Sequence, residues 1–364
     1  MNSSLLFFVS FLSIVGVIIL LILFFNGKNN NSSGLSLEAI GNSQNETLVD
    51  SCATCSLVTG PTVSVPSTTG KKRALLFGCN YNFPGSLCIT EGCVLNGCID
   101  DVNNIRTFLL SKDYKSEDIQ LYTDLNTYGT PYFPTKAFFL QKIQDLVNQT
   151  APGDVSFIWY SGHGSQIQNA SAEGGYNECW CPPDTLRNGN YLTDIELNNA
   201  ISTLQQGAKL FIGSDSCHSG TVFDLTYFFA EPYKTNFRSL LNKNSRTIVS
   251  KLSAVQNSSR NVIASVPTNV DMVLVQDSSY KSISGLVITI SGCQNSDTSA
   301  DAYENGSAQG AMTWSFLTSA SNSVTLQDLV RNMRSLLAAN GFTQIPQMET
   351  SLNIDTKTNF LTCL

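Results

Sequence analysis

Val155-Ser-Phe-Ile-Trp-Tyr-Ser-Gly-His-Gly164 and Lys209-Leu-Phe-Ile-Gly-Ser-Asp-Ser-Cys-His-Ser-Gly220 decide the fold. Each is a short apolar run that stops abruptly in small, polar and chemically capable residues, the pattern of a strand buried on both faces of a parallel sheet. Working outward, Arg73–Cys79 and Ile119–Tyr122 read as further short strands. Cys98–Leu110 has helical spacing with Val102, Ile105 and Leu109 on one face, and Thr135–Val147 carries Phe138, Phe139, Ile143 and Leu146 at packing intervals. Thr193–Leu204 reads as another helix, Leu286–Ser291 as a strand, Ala311–Ala320 and Leu326–Ala339 as helices, and Met348–Ile354 as a last strand. This alternation predicts an α/β fold, a mainly parallel sheet with helices on both faces. In such sheets chemistry gathers beyond the carboxyl ends of the strands, which is where both quoted strings end. Between residues 221 and 284 the alternation lapses for longer than an ordinary connection, so an insertion with partial structure or a mobile loop is expected there.

The chain holds only two histidines, and both lie in these strings: His163 in Tyr160–Gly164 and His218 in Asp215–Gly220. A thiol nucleophile needs an imidazole partner. His218 directly follows Cys217, and neighbouring side chains on extended backbone point to opposite faces, which makes it a poor base for that thiol. His163 is the better candidate. Two histidines are too few for the usual His-rich catalytic zinc site, so a metal-dependent hydrolase is the least favoured class.

Residues 5–25 contain no charge, and about 20 helical residues span a hydrocarbon layer. The run exceeds a signal-peptide core and lacks a basic leader, so residues 1–26 read as a retained single-pass membrane anchor rather than a cleaved signal. Lys28 and the Lys71-Lys72-Arg73 cluster weakly favour a cytosolic position for the rest of the chain. Residues 27–70 are rich in Asn, Ser, Thr and Gly without an apolar period and read as a disordered linker. One globular domain is then expected over 71–364.

The net charge of −7 argues against nucleic-acid binding, which needs a basic surface to displace counterions, but leaves cationic peptides open as partners. The eleven cysteines are an odd number, so at least one stays unpaired if the rest form disulfides, and Cys217 is the natural choice. Cys52–Cys55 and Cys179–Cys181 have close spacings suggestive of metal or redox chemistry, but neither has a second pair at zinc-module distance. The plainer reading, ordinary buried or solvent-facing thiols, is preferred.

The ordered set of strings resembles the metacaspases, caspase-related cysteine peptidases. The matching pieces are Lys72–Tyr81, Leu95–Val102, Tyr160–Gly164, Asp215–Gly220, Asp224-Leu-Thr-Tyr227, Ser291-Gly-Cys-Gln and Thr298–Asp301, covering about residues 71–355. His163 precedes Cys217 by 54 residues, close to the roughly 50-residue upstream histidine of caspase-type enzymes. The resemblance implies a caspase-like fold, Cys217 as nucleophile, His163 as its base, and Asp101, Ser161 and Asp215 lining the pocket for the residue before the scissile bond. Two carboxylates in a narrow cleft attract a cation and repel an acidic side chain, so cleavage after Arg or Lys is expected. Backbone N–H groups of Cys217 and Gly164 are the expected oxyanion donors. A monomer is expected by the same resemblance.

The family's calcium site is incomplete here. Asp194 and Asp224 match it, but Gly174–Glu178 has lost acidic positions and Ile195 stands where a second Asp of a pair would be. Glu173, Asn177, Glu178 and backbone carbonyls are candidates to complete a weakened calcium site, because a hard divalent cation wants six to eight oxygens. Lys234–Arg260 holds six bases and no acid, which suggests self-cleavage within 234–260 as well as a plain solvated loop. The competing reading is a membrane-tethered, catalytically silent scaffold that binds basic peptides without cutting them. Labelling of Cys217 by a thiol-reactive probe separates the two.

Overall fold

The computed structural model describes residues 55–125, 129–169, 176–217, 222–230, 271–292, 301–304 and 307–364. In chain order the strands are β1 (Cys55–Leu57), β2 (Lys72–Gly78), β3 (Ile119–Thr123), β4 (Val155–Ser161), β5 (Gly164–Gln168), β6 (Tyr176–Trp180), β7 (Leu192–Thr193), β8 (Lys209–Asp215), β9 (Tyr227–Ala230), β10 (Val273–Asp277), β11 (Leu286–Ser291), β12 (Asp301–Glu304), β13 (Ser307–Gly310) and β14 (Gln347–Thr350). The main sheet has the order β1-β10-β9-β14-β11-β8-β4-β2-β3. From β3 to β11 every neighbouring pair is parallel; from β11 to β1 every pair is antiparallel. The sheet is therefore mixed, which corrects the expectation of a mainly parallel one. The antiparallel half is built from short strands whose partners lie far away in sequence, so local periodicity carries little sign of it.

The helices are the one-turn α1 (Cys88–Glu91), α2 (Cys98–Leu110), α3 (Lys136–Gln149), the one-turn α4 (Thr185–Asn188), α5 (Asp194–Ile201), α6 (Ala311–Ala320) and α7 (Leu326–Ala339). Alternation along the central strands sorts side chains onto two layers. On one face Phe157 and Trp159 of β4 and Phe211 of β8 pack in one cluster with Val102, Ile105 and Leu109 from α2 and with Met312 and Phe316 of α6. On the other, Ile158 and Tyr160 join Phe139, Ile143 and Leu146 from α3, and Leu197 and Ile201 from α5. Both faces are thus covered, as the alternating pattern requires. Gly78 lets α2 meet the end of β2 closely: a Cβ there would sit 2.6 Å from the carbonyl oxygen of Cys98.

Two expectations concern the sheet's far edge. Residues 55–70, at the C-terminal end of the linker expected over 27–70, are described, and β1 pairs antiparallel with β10. The interval 221–284 is in part regular structure, since β9 and β10 pair with each other and β9 joins β14. Among the described residues no helix is long and apolar enough to cross a membrane. The anchor at 1–26, most of the linker, Glu173, His218 and the basic segment 234–260 lie outside the described residues.

Candidate active site

Parallel pairing of β4 with β8 fixes the relation between the two quoted strings. Ser161 is the register partner of Asp215 at the carboxyl ends of these strands. His163 and Cys217 each come two residues later, so they leave the sheet side by side. Gly164 then abuts the backbone of Cys217 so closely that a Cβ would collide with the Cys217 carbonyl oxygen. Glycine at 164 is thus required by that approach. Among the described free cysteines, Cys79, Cys98, Cys179, Cys181 and Cys363 are buried and Cys217 is half-buried. Burial pushes the Cys79 and Cys181 thiols up, and that of Cys179 to about 12, with nearby carboxylates adding to the effect at Cys79 and Cys179 and neighbouring thiols at Cys181. These thiols stay protonated and inert, which supports the plainer reading of Cys179 and Cys181.

His163 is held from several sides. Its backbone N–H donates to the Tyr81 hydroxyl at 2.8 Å, and its carbonyl accepts from the Tyr160 hydroxyl at 2.6 Å and from the Cys181 N–H at 3.0 Å. The Tyr81 ring lies against the imidazole with centroids 4.5 Å apart. Nε2 of His163 is 2.6 Å from the carbonyl oxygen of Cys93. With Nε2 donating there, Nδ1 carries the lone pair of the neutral ring. Burial pushes both tyrosine hydroxyls far above their usual range, so they act as neutral donors and acceptors. Tyr81 itself is set by the Asp124 carboxylate, which accepts from the N–H groups of Tyr81 and Asn80, the latter at 3.1 Å.

The three expected pocket residues converge. Ser161 Oγ donates to Asp101 Oδ2 at 2.6 Å. Asp101 Oδ1 accepts from the Gly310 N–H at 2.9 Å. Asp215 Oδ2 accepts from the N–H and the hydroxyl of Thr313 at 2.8 and 2.7 Å. Both carboxyl groups are buried. A Cβ on Gly310 would strike Asp215 Oδ2 and come within 2.8 Å of Asp101 Oδ2, so the two acids flank this one glycine. Trp159 Nε1 donates to Thr313 Oγ1 at 3.2 Å, tying the cluster to the core.

The candidate calcium residues are only partly assembled. Asp194 Oδ2 accepts from the Glu178 N–H at 2.9 Å and Oδ1 from the Ile195 N–H at 2.7 Å. Burial, and next the negative charge of Asp224, push the Asp194 carboxyl up to about 6. Asn177 and Glu178 are successive residues of β6 and so face opposite sides of that strand. Asn177 Oδ1 accepts from Asn169 at 3.0 Å, while Glu178 is buried. Among the described residues, Cys88, Cys93 and His163 form a trio of ligand-type atoms within 4.8 Å of one another, and Asp194, Asp224 and Glu178 do not. The donor chemistry suits a hard cation, but the side chains would have to close further around one.

Tyr81, Cys93, Gly310 and Thr313 were not singled out from the sequence as site residues. Tyr81 stands in the quoted Lys72–Tyr81 string, which was a usable signal; the others are joined to the site only by long-range contacts.

Comparison with known proteins identifies relatives of the chain. Residues 72–226 match the family described as "Metacaspase, peptidase C14 domain". The chain is 32% identical to Metacaspase-1 of Candida albicans over 80% of its own length and 68% of that protein. It is 35% identical to Metacaspase-1 of Kluyveromyces lactis, over 80% and 69% respectively. The crystal structure of a Geobacter sulfurreducens protein superposes on 81% of the chain and all of that protein with a TM-score of 0.51 at 22% identity, a likeness of fold.

Proposed function

Because the chain belongs to the metacaspase family of cysteine-type endopeptidases, we propose that Cys217 is its nucleophile, that His163 is the base, and that it cleaves after Arg or Lys. The observation that supports this reading is the Ser161–Asp215 register pair, since His163 and Cys217 each follow two residues later in the chain. The Cys217 thiolate attacks the substrate carbonyl; His163 takes the thiol proton and returns it to the leaving amine. The oxyanion is met by the backbone N–H groups of Cys217 and Gly164, each donor worth about 3 kcal/mol in comparable sites. Water then hydrolyses the thioester. Asp101 and Asp215, with Ser161, receive the cationic side chain before the scissile bond.

A positional peptide library tests the specificity. Turnover confined to Arg and Lys reporters supports it, and turnover of Asp reporters alone overturns it.

Calcium held by Asp194 and Asp224, with Glu178 and Asn177, would supply charge neutralisation in that loop. Unchanged activity in a chelator removes the metal. Self-cleavage is proposed within 234–260: fragments there in the active enzyme, absent from Cys217→Ala protein, support it. The peptidase is proposed to act as a monomer, tethered through residues 5–25 with its domain on the cytosolic side. Alkaline carbonate extraction, which releases proteins that do not span the bilayer, checks the tether.

A further inference from the structure

Cys88 and Cys93 are joined by a disulfide across a loop that holds α1 and Gly92. Cys88 is fully buried, packed in the same core cluster as Phe77, Tyr81 and Tyr160, whereas Cys93 is half-buried. The loop between them is mostly open to solvent, with Ile89 53% exposed. The crosslink therefore ties a surface loop to the core, and the residue it ties is the one whose carbonyl oxygen meets His163 Nε2 at 2.6 Å. Cys88, Cys93 and His163 also line one cavity of about 210 Å³, onto which the half-buried Cys93 opens.

We propose that the Cys88–Cys93 disulfide is a redox-dependent positioning device for His163, an inference that rests on His163 being the base. With the sulfurs joined, the Cys93 carbonyl is fixed, the ring donates from Nε2, and the Nδ1 lone pair is available to the Cys217 thiol. A dithiol opens the device. One of its thiolates attacks Cys93 Sγ, a mixed disulfide forms and Cys88 leaves as thiolate; the second thiol of the reagent then displaces Cys93. The protein gains two electrons and two protons, and the reagent leaves as its disulfide. What then holds Cys93 near its place is the hydrogen bond from its N–H to the Cys88 carbonyl, at 3.1 Å, and the chain around it. The imidazole loses a fixed orienting acceptor, and turnover falls. Cys88 and Cys93 are positioning residues: they act through the ring.

The test compares full-length wild type with the Cys88→Ser/Cys93→Ser double variant in a series of dithiol/disulfide buffers, using an Arg reporter. The variant, checked for folding by thermal unfolding, corrects each buffer for oxidation of Cys217 itself. The expected wild-type to variant ratio of kcat is near one in the most reducing buffer. It rises about ten-fold or more where the disulfide forms, with KM little changed, since small misplacement of a catalytic group costs up to about 100-fold. The acid limb of the pH–rate profile should move between the two wild-type forms and stay put in the variant. Should the variant not fold, wild-type kcat per titrated Cys217 thiol must still track the disulfide fraction found by differential alkylation. A constant ratio, turnover that does not follow the disulfide fraction, or free Cys88 and Cys93 thiols in the oxidising buffers overturn the proposal. Cleavage by Cys217→Ala protein would instead overturn the nucleophile assignment, whatever the redox response.

Discussion

Two groups of acids near the site are treated differently. Asp101 and Asp215 sit among hydrogen-bond donors: Ser161 and Gly310 serve the first, Thr313 serves the second twice. Asp194 is pushed up to about 6 by burial and by the charge of Asp224, in spite of the two backbone N–H groups it accepts from. Donors alone do not decide the state of a buried carboxylate: at Asp194 burial and the neighbouring charge of Asp224 outweigh the two it has. The first pair has its oxygens met by protein donors, and the second is a crowded one that a cation or a proton would relieve.

Removing the charge of the first pair gives the largest expected effect. Asp215→Asn should lower kcat/KM on Arg reporters by about 100-fold or more, since losing one partner of a buried charged contact costs about 3–5 kcal/mol. A neutral-residue reporter should lose far less, and equal losses on both would mean that Asp215 supports the fold rather than the substrate. Thr313→Val keeps the backbone donor to Asp215 and deletes the hydroxyl one. A hydrogen bond to a charged group is worth about 1.5–3 kcal/mol, so a loss of about ten-fold or more on Arg reporters is expected in steady-state assays.

The crowded pair answers to pH. The Asp194 carboxyl binds its proton more tightly in the folded chain, at about 6 against the ordinary 3.8. Between about pH 4 and 6 the native state then holds more protons than the unfolded one, so this group's contribution to stability falls as pH rises through that window. Above about pH 6 the penalty is complete. Asp194→Asn should therefore unfold at a higher temperature than wild type at pH 7, with the gap closing near pH 4; a gap that does not shrink removes the charge explanation. Calcium gives the smallest expected effect. Added to wild type at pH 7, it should raise the unfolding temperature by a few degrees and leave Asp194→Asn unmoved, in keeping with weak binding by an incomplete ligand set.

The contrast also marks what the sequence could disclose. The helices at Cys98–Leu110, Ala311–Ala320 and Leu326–Ala339 and the strand at Leu286–Ser291 follow from apolar spacing, because each buries a face of its own against the sheet. Asp101, Ser161 and Asp215 were reachable because they stand in strings that resemble a family. The antiparallel half was not: β1, β9 and β10 are short, and their pairing joins Cys55 to Asp277 and Val273 to Ala230. Nor were the supports of the site. Thr313 meets Asp215 across 98 residues and Tyr81 meets His163 across 82, separations that no local pattern encodes. The Cys88–Cys93 pairing was hidden for a related reason, since a count of cysteines limits the connectivities without choosing among them.

The most direct measurement is covalent labelling by two peptidyl electrophiles that differ only in carrying Arg or Asp at the reactive end, followed by peptide mapping. The Arg reagent should modify Cys217, and His163→Ala or Asp215→Asn should slow it strongly, while the Asp reagent leaves that thiol untouched. Faster labelling of Cys217 by the Asp reagent, or labelling of another cysteine with Cys217 left free, would contradict a thiol nucleophile paired with His163 beside a cation-receiving pocket.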